Sequence, residues 1–542
     1  MRFSSFFLSS RLFDLPLRFF WTSPNVFVIE FPGGVSPATS ALVFSLDRAL
    51  AKALPKGAAE SVPAFTTLTL AVNWRRAKAV NKAINAEEFA LCVERAVRAW
   101  ITEQGQNLAG AVWAGEERRI VEIPVCYSEE CAPDAAELAA RLGLRDSAEL
   151  ARLHAGAEYT VGMIGFTPGF PYLLGLPREL TAPRKSTPRA RVEAGSVGVA
   201  GAQTGVYPFA SPGGWNIIGR TPLRLFCAEW REPSLLRFGD AARFIPLSLD
   251  DLHRQAEREA KSTHVSFGAA TFDVAQRFAI ALRAGVQASI QDGGRAGYRA
   301  FGVPESGAAD RTSLFVANIL VGNPPDCAAL ECMSGGFAVR FEKESLVALA
   351  GADYNARLTA NGASRRVEPH RAFLAPEGSE LRFANTSLVG ARAYIAVAGG
   401  VEAKESLGSR SAYPLAKMGG IGGAYLKKGD VLHRQSSAPS ALSEALARRC
   451  RENALQQTPR LNLTPFNVKP FNEKPFNEKP CEVKTFNVNP FAQASSQTRL
   501  RFVRGAEWES FSESARREFT LGAFVVASES NRMGIRLSRA PS

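Results

Sequence analysis

Residues 165–222 read "GFTPGFPYLLGLPRELTAPRKSTPRARVEAGSVGVAGAQTGVYPFASPGGWNIIGRTP", a stretch dense in glycine and proline and broken by Phe, Tyr, Trp and Arg. Glycine permits positive φ and close backbone approach, while proline fixes φ and removes a donor, so no helix longer than a turn or two fits here. Between the breakers stand "VEAGSVGVAG" and "NIIGRTPLRLF", short and rich in β-branched residues, which read as strands of a small barrel or sandwich. The loops between them carry Arg184, Lys185, Arg189, Trp215, Asn216 and Arg220. Loops over a rigid scaffold are where binding groups collect, and arginine beside aromatic rings suits a planar anion or a nucleotide.

Working outward, 542 residues exceed what one core supports, and two to four domains are expected. Residues 26–105 mix strand patterns ("VFVIEF", "TTLTLAV") with two amphipathic helix patterns, "SPATSALVFSLDRALAKAL" and "NAEEFALCVERAVRAWITEQ", and read as a small α/β domain at 25–105. "DAAELAARLGL" and "DSAELARLHAG" form a helical pair before the glycine-rich barrel, which occupies 106–260 and ends in the amphipathic "SLDDLHRQAEREAKSTH". A linker at 261–275 leads to a second unit at 276–450, which repeats the scheme of strand, glycine-rich turn, one helix ("DRTSLFVANILVG") and further short strands. The fold class is therefore α+β and mainly β. Residues 451–497 contain a five-residue period (PFNVK, PFNEK, PFNEK, PCEVK, TFNVN), too short to stack as a solenoid and read as a low-complexity insertion. The opening "MRFSSFFLSSRLFDLPLRFFW" has a transit-like composition interrupted by Arg11 and Asp14, and 1–24 is read as an N-terminal extension.

Composition excludes several function classes. The net charge of +13 comes from Lys and Arg interleaved with acids, which is not the block pattern of a nucleic-acid footprint. No run of about 18 apolar residues marks a membrane helix. Eight irregularly spaced cysteines make neither a disulfide scaffold nor a zinc set, and the five histidines are scattered, so a reducing, cytoplasmic compartment and no resident metal are expected. The phosphate loop GxxxxGK[ST], a GxGxxG after a strand and the GxSxG elbow are absent.

Longer motifs go further. "IPVCYSEECAPDAAELA", "LHAGAEYTVGMIGFTPGFPYLLGLP", "APRKSTPRARVEAGSVGVAGAQTGVYP", "SPGGWNIIGRTPLRLF" and "LLRFGDAARFIP" resemble the B component of bacterial 5-oxoprolinase, the family also known as Kip-type kinase inhibitors and allophanate hydrolase subunit 1. "VQASIQDGGRAGYRAFGVPESGAAD", "FVANILVGNPPDCAALEC", "LAGAD", "AVAGGVEAKESLGSRSAY" and "VASESNRMGIRL" resemble the C component of the same enzyme, of the biotin-dependent carboxyltransferase-like family. The resemblance covers about 25–255 and 280–537 and implies a fusion of the two components. It implies cyclophilin-like β-barrels, and ATP-dependent hydrolysis of 5-oxoproline to glutamate with a separate A component as partner in a hetero- or homo-oligomer, with magnesium arriving on the nucleotide. Two other functions belong to the same resemblance: the carboxyltransferase of a urea carboxylase or allophanate-type system, whose biotin carrier would be another protein because no Met-Lys-Met site occurs here, and regulation of a histidine kinase.

Carried onto matching positions, the resemblance implies catalytic roles for His154, Arg220 and Asp292. It implies substrate or nucleotide binding by Arg184, Arg189, Trp215, Gln291, Arg295, Asp310, Asn318, Glu331 and Arg410, with Asp240, Asp353 and Arg532 as further matching polar positions. Each has a plain alternative. His154 follows a helix and serves equally as a cap or core residue, Asp240 and Asp292 sit beside glycines as turn aspartates do, and Trp215 divides between core and pocket wall. Glu331, flanked by Leu330 and Cys332, requires an arginine partner if buried. Relative to the family, the chain stops at Ser542 soon after the second C-half barrel begins at about 498; the expectation is an insertion followed by truncation, with an inactive product as one reading.

Overall fold

In the computed structural model, which describes residues 6–10, 13–82, 84–104, 118–262, 276–333, 335–387, 389–436, 440–452, 511–521, 524–526 and 537–539, the chain divides into two units. The first comprises Met1–Ala270 with Arg295–Glu305, the second Thr271–Gly294 with Ser306–Ser542.

The first unit begins with a five-stranded antiparallel sheet in the order β1-β2-β3-β5-β4, formed by β1 (Phe6–Ser10), β2 (Phe13–Ser23), β3 (Val26–Glu30), β4 (Ala59–Ala64) and β5 (Thr67–Val72). Leu17, Phe19 and Trp21 alternate along β2, and Leu68, Leu70 and Val72 along β5; their common face packs on α1 (Pro37–Ala53) and α3 (Ala86–Gln104) through Val43, Leu46, Phe89, Val93 and Trp100. This corrects the expectation that residues through Pro24 stand outside the fold: an apolar residue at every second position is a strand signal, and β2 pairs with β3 from Arg18 to Ser23. A short α2 (Trp74–Val80) follows β5.

The barrel of this unit is a seven-stranded sheet in the order β13-β10-β11-β8-β7-β14-β6. Its strands are β6 (Ile120–Val125), β7 (Glu158–Ile164), β8 (Pro171–Leu174), β10 (Ser196–Ala200), β11 (Gln203–Val206), β13 (Asn216–Arg220) and β14 (Ala241–Pro246), with β9 (Arg189–Val192) and β12 (Ser211–Gly213) as a separate pair. The two ends of that order meet: Cys126 N donates to Arg220 O at 2.8 Å and Arg220 N to Cys126 O at 2.9 Å. Closure removes both sheet edges. Helices α4 (Ala135–Arg141) and α5 (Ser147–Ala155) lie between β6 and β7, and α6 (Leu249–Ser262) follows β14. The core holds Ile123, Val125, Tyr159, Val161, Val197, Ile218 and Phe244, all essentially inaccessible.

The second unit stacks two sheets over one core. One has the order β21-β20-β23-β18-β15-β25, from β15 (Arg277–Ala284), β18 (Phe337–Phe341), β20 (Arg357–Ala360), β21 (Ala363–Arg366), β23 (Glu380–Arg382) and β25 (Val431–His433). The other has the order β16-β17-β24-β19-β22, from β16 (Gln287–Gln291), β17 (Ala329–Met333), β19 (Ser345–Asp353), β22 (Arg371–Ala375) and β24 (Val389–Val397). Phe278, Ile290, Leu330, Phe341, Val347, Phe373 and Ile395 fill the space between them. On the outer face of the second sheet, α7 (Arg311–Leu320) and α8 (Ala441–Glu452) cover Ala348, Ala350, Leu374 and Tyr394. The pentapeptide array lies outside the described residues; beyond it come α9 (Glu513–Leu521) and the hairpin of β26 (Phe524–Val526) and β27 (Leu537–Arg539). Among the described residues no helix is long and apolar enough to cross a membrane.

Candidate active site

In the first unit, the loop Pro183–Pro188, the start of β13 and the N-terminus of α4 converge. Asp134 stands at the N-cap position of α4 without a side-chain capping bond to the helix, and is 3% exposed. Its carboxylate accepts from Arg189 at 2.6 and 2.9 Å, Lys185 Nζ at 2.9 Å and the backbone N of Ile217 at 2.7 Å. Burial alone would raise its pKa; hydrogen bonds from Arg189, Lys185 and Ile217 outweigh burial and hold the carboxyl below its usual range. The partly exposed ammonium and guanidinium are thereby fixed in place. Asn216, also buried, ties the same loop to the barrel, its amide donating to Pro183 O at 3.0 Å and Val199 O at 3.1 Å while its oxygen accepts from Arg141 at 3.0 Å.

Beside these cations stands an aromatic cluster. Phe170 meets Tyr207 at 5.2 Å and Trp215 at 5.6 Å, both edge to face, and Tyr172 meets Trp215 at 5.8 Å. Gly205 makes the packing possible, since a Cβ there would stand 2.7 Å from Pro171 O and 3.1 Å from the Phe170 and Trp215 rings. Burial pushes the Tyr207 hydroxyl up to about 12, against the Trp215 backbone, Arg184 and Arg189, which pull it down. Phe166 lips the cluster, 57% exposed at φ +66°, a backbone region that a bulky residue enters at a cost. Arg184 is exposed and close enough to Tyr172 and Tyr207 to act on both electrostatically. It has no hydrogen-bond or ion-pair partner among the described residues. The arrangement offers an aromatic wall and an uncommitted cation, which suits a small planar anion.

Three other predicted positions of this half lie elsewhere. His154 is fully buried at the end of α5: Nδ1 is 2.8 Å from Tyr127 Oη, Nε2 is 2.9 Å from Thr204 Oγ1, and the ring lies 4.4 Å from Phe244. Desolvation pushes its pKa down to about 3, so it is neutral and both nitrogens are occupied. That is the core placement which the sequence allowed as the alternative to a catalytic role. Arg220 contributes its backbone to the barrel seam, with an exposed side chain. Asp240 is a turn aspartate, accepting from Arg237 N at 2.8 Å and Arg119 Nε at 3.1 Å.

In the second unit, Asp292 is a hub: Oδ1 accepts from Gly294 N at 2.8 Å, Ser409 Oγ at 2.6 Å and Ser411 Oγ at 2.5 Å, and Oδ2 from Arg410 N at 2.6 Å. A carboxylate so occupied holds two loops together, the structural role that its place beside Gly293 and Gly294 also allowed. Glu331 finds the arginine that burial demands, Arg392 at 3.1 Å, and also accepts from Tyr394 Oη at 2.8 Å and Ala309 N at 2.9 Å. Burial, then Glu331, push the Tyr394 hydroxyl up, so it stays a donor. Asp310 caps α7 through Ser313 N at 3.0 Å, Asn318 donates to Cys327 O at 2.7 Å, and Arg410 pairs with Glu402 and Glu405. These contacts hold the scaffold together, while Asp310 is exposed and the Arg410 side chain is 30% exposed. Asp353 pairs with Arg366 at 2.7 Å, and Arg295 is buried within Arg295–Glu305, its N donating to Glu305 O at 2.7 Å. Gln291 is 0% exposed on β16, and Arg532 lies outside the described residues. Among the described residues no group of three His, Cys, Asp or Glu side chains is placed to hold a metal.

Asp134, Tyr207 and Tyr394 were not singled out by their sequence as ligand-facing or site-organising, whereas Lys185 was read among the polar loop residues. Asp134 precedes "AAELAAR" as any helix-capping aspartate does, and its hold on Arg189, 55 residues on, has no local signature.

Residues 17–236 match the carboxyltransferase domain, subdomains C and D, and residues 301–542 match the carboxyltransferase domain, subdomains A and B. The chain is 42% identical over 202 residues to the B component of 5-oxoprolinase from Bacillus subtilis, covering 37% of this chain and 80% of that protein. It is 39% identical over 152 residues to the C component of 5-oxoprolinase from Escherichia coli, covering 28% of this chain and 47% of that protein, so it spans about half of its C-component relative. The solved structure of TTHA0988 superimposes with a TM-score of 0.60 at 31% identity, covering 76% of this chain and 75% of that one. Two barrel-type units in the order B component then C component, each matched over long collinear segments, place this chain in the carboxyltransferase-domain family as a fusion of its two halves.

Proposed function

We propose that this chain is the B plus C component of an ATP-dependent 5-oxoprolinase, opening 5-oxoproline to glutamate with a separate A component. The observation that carries the reading is that one chain aligns with both proteins, 42% identical to a B component and 39% to a C component. The chemistry has a clear demand. A lactam is a poor electrophile, and transfer of the ATP γ-phosphoryl to its amide oxygen, releasing ADP, makes the ring carbon open to water. Water adds, the C–N bond breaks with a proton passing to nitrogen, and phosphate leaves. The groups such a path needs are fixed cations for a carboxylate and for phosphates. Arg184, with Lys185 and Arg189 held by Asp134, supplies cations for the phosphates in the first unit. Magnesium would enter on the nucleotide. The seven cysteines among the described residues are all free, in keeping with work in a reducing cytoplasm.

The test is 5-oxoproline-dependent release of ADP and glutamate by this chain mixed with a protein of the A-component type. Arg184→Ala is expected to raise KM about tenfold or more, the scale of one lost charge-assisted hydrogen bond, while leaving thermal stability unchanged. Absence of 5-oxoproline-dependent ADP release from folded protein would remove the reading. The carboxyltransferase description of the family favours a second one, and decarboxylation of free carboxybiotin by this chain without ADP formation would support it.

A further inference from the structure

Buried polar atoms in folded proteins find partners, so an orphan is a pointer. On β16 the Gln291 side chain is 0% exposed, and its Nε2 donates to Ser289 Oγ at 3.0 Å and Ala412 O at 3.3 Å. Its Oε1 has no hydrogen-bond partner among the described residues. Turning the amide over would not relieve this, since it would set two carbonyl oxygens, those of Gln291 and Ala412, 3.3 Å apart and leave the NH2 orphaned instead. Ser289, 2% exposed, accepts from Gln291, and among the described residues its own hydroxyl proton has no acceptor. Positions two apart on a strand share a face. The face of β16 away from the core residues Ala288 and Ile290 therefore presents one unfilled acceptor and one unfilled donor side by side.

We propose that Ser289 and Gln291 form a recognition site for a cis-amide, Gln291 Oε1 taking the ligand N–H and Ser289 Oγ donating to the ligand C=O. This rests on the 5-oxoprolinase reading for the identity of the ligand: a five-membered lactam is held cis by its ring and shows N–H and C=O on one edge. The pair sits where β16 enters the Gly293–Gly294 turn, under the Ser409–Ala412 segment. Asp292 holds that segment down through Ser409 Oγ, Arg410 N and Ser411 Oγ, so the ligand enters only when those bonds open and the segment lifts. Its neighbour Gly420 donates to Arg410 O at 2.9 Å within a run in which Gly419, Gly420, Gly422 and Gly423 all have positive φ.

The experiment compares binding of 5-oxoproline and of L-proline, which has the ring and carboxylate without the lactam, to the full chain by calorimetry. Wild type is expected to prefer 5-oxoproline at least tenfold. Gln291→Met, similar in length and lacking the acceptor, and Ser289→Ala are each expected to lower that preference tenfold or more, and Ser289→Thr to restore it. Should Gln291→Met fail to fold, the Ser289 pair carries the test. Unchanged preference in folded variants, or no lactam binding by wild type, overturns the site and leaves the two groups as holders of a buried water. Variant-sensitive lactam binding without turnover in the presence of the A component would sustain the site and remove the proposed function. Turnover whose KM ignores both variants would do the reverse.

Discussion

Acidification should destabilise the first unit through His154. The ring is enclosed, and desolvation holds its pKa near 3, whereas in the unfolded chain it titrates at about 6.5. Between these values the unfolded state binds one proton more than the folded state, so stability falls as pH falls through this window and is unaffected by this group above it. From pH 8 to pH 5 the chain passes about 1.5 units below 6.5, and at ~1.36 kcal/mol per unit the loss is about 2 kcal/mol. The assay is urea unfolding followed by tryptophan fluorescence, which reports mainly this part of the chain because Trp21, Trp74, Trp100, Trp113, Trp215 and Trp230 precede residue 271 and only Trp508 follows it. His154→Gln removes the titration while keeping polar atoms toward Tyr127 and Thr204. The variant should be less stable than wild type at pH 8 and should lose about 2 kcal/mol less between pH 8 and pH 5. Equal pH dependence in the two proteins would refute the argument, as would an imidazole resonance of His154 that titrates above pH 5.

Asp134→Ala leaves Lys185, Arg189 and Ile217 N without their shared acceptor and should cost about 3 kcal/mol, read as a lowered urea midpoint of the first unit. Because that carboxyl is held below its usual range, its contribution is present above about pH 4 and is lost as pH falls further; the variant should show a shallower decline in stability below pH 4. Glu331→Gln replaces the acceptor of Arg392, Tyr394 and Ala309 by a neutral amide. A drop of about 3 kcal/mol in the second unit is expected, with Glu331→Gln/Arg392→Met recovering part of it by differential scanning calorimetry. Gly195→Ala meets both a φ of +81° and the carbonyl of Thr221 inside van der Waals contact, and should lower the barrel's stability by about 2 kcal/mol in the same urea assay.

Residue spacing along the chain was enough to assign the classes of element and their order. Period-two and period-3.6 patterns are local, so α1, α3, α5, α6 and α7 and the strands around "VEAGSVGVAG" and "NIIGRTP" follow from side-chain spacing, and long collinear motifs specified the family. The sequence also required an arginine beside Glu331, because a buried carboxylate needs one. The short runs β4 and α2 carry no such period. The Phe, Ser and Arg of the first residues read as an N-terminal extension by composition, although their alternation made β2. Partnership across long separations was settled by tertiary packing alone. A histidine after a helix looks the same whether it faces solvent or, as His154 does, Phe244 on β14. An aspartate beside glycine looks the same whether it is a base or, as Asp292 is, the acceptor for loops more than a hundred residues away. Burial and hydrogen bonding are properties of the closed barrel, and closure through Cys126 and Arg220 brings together residues whose sequence neighbourhoods share nothing.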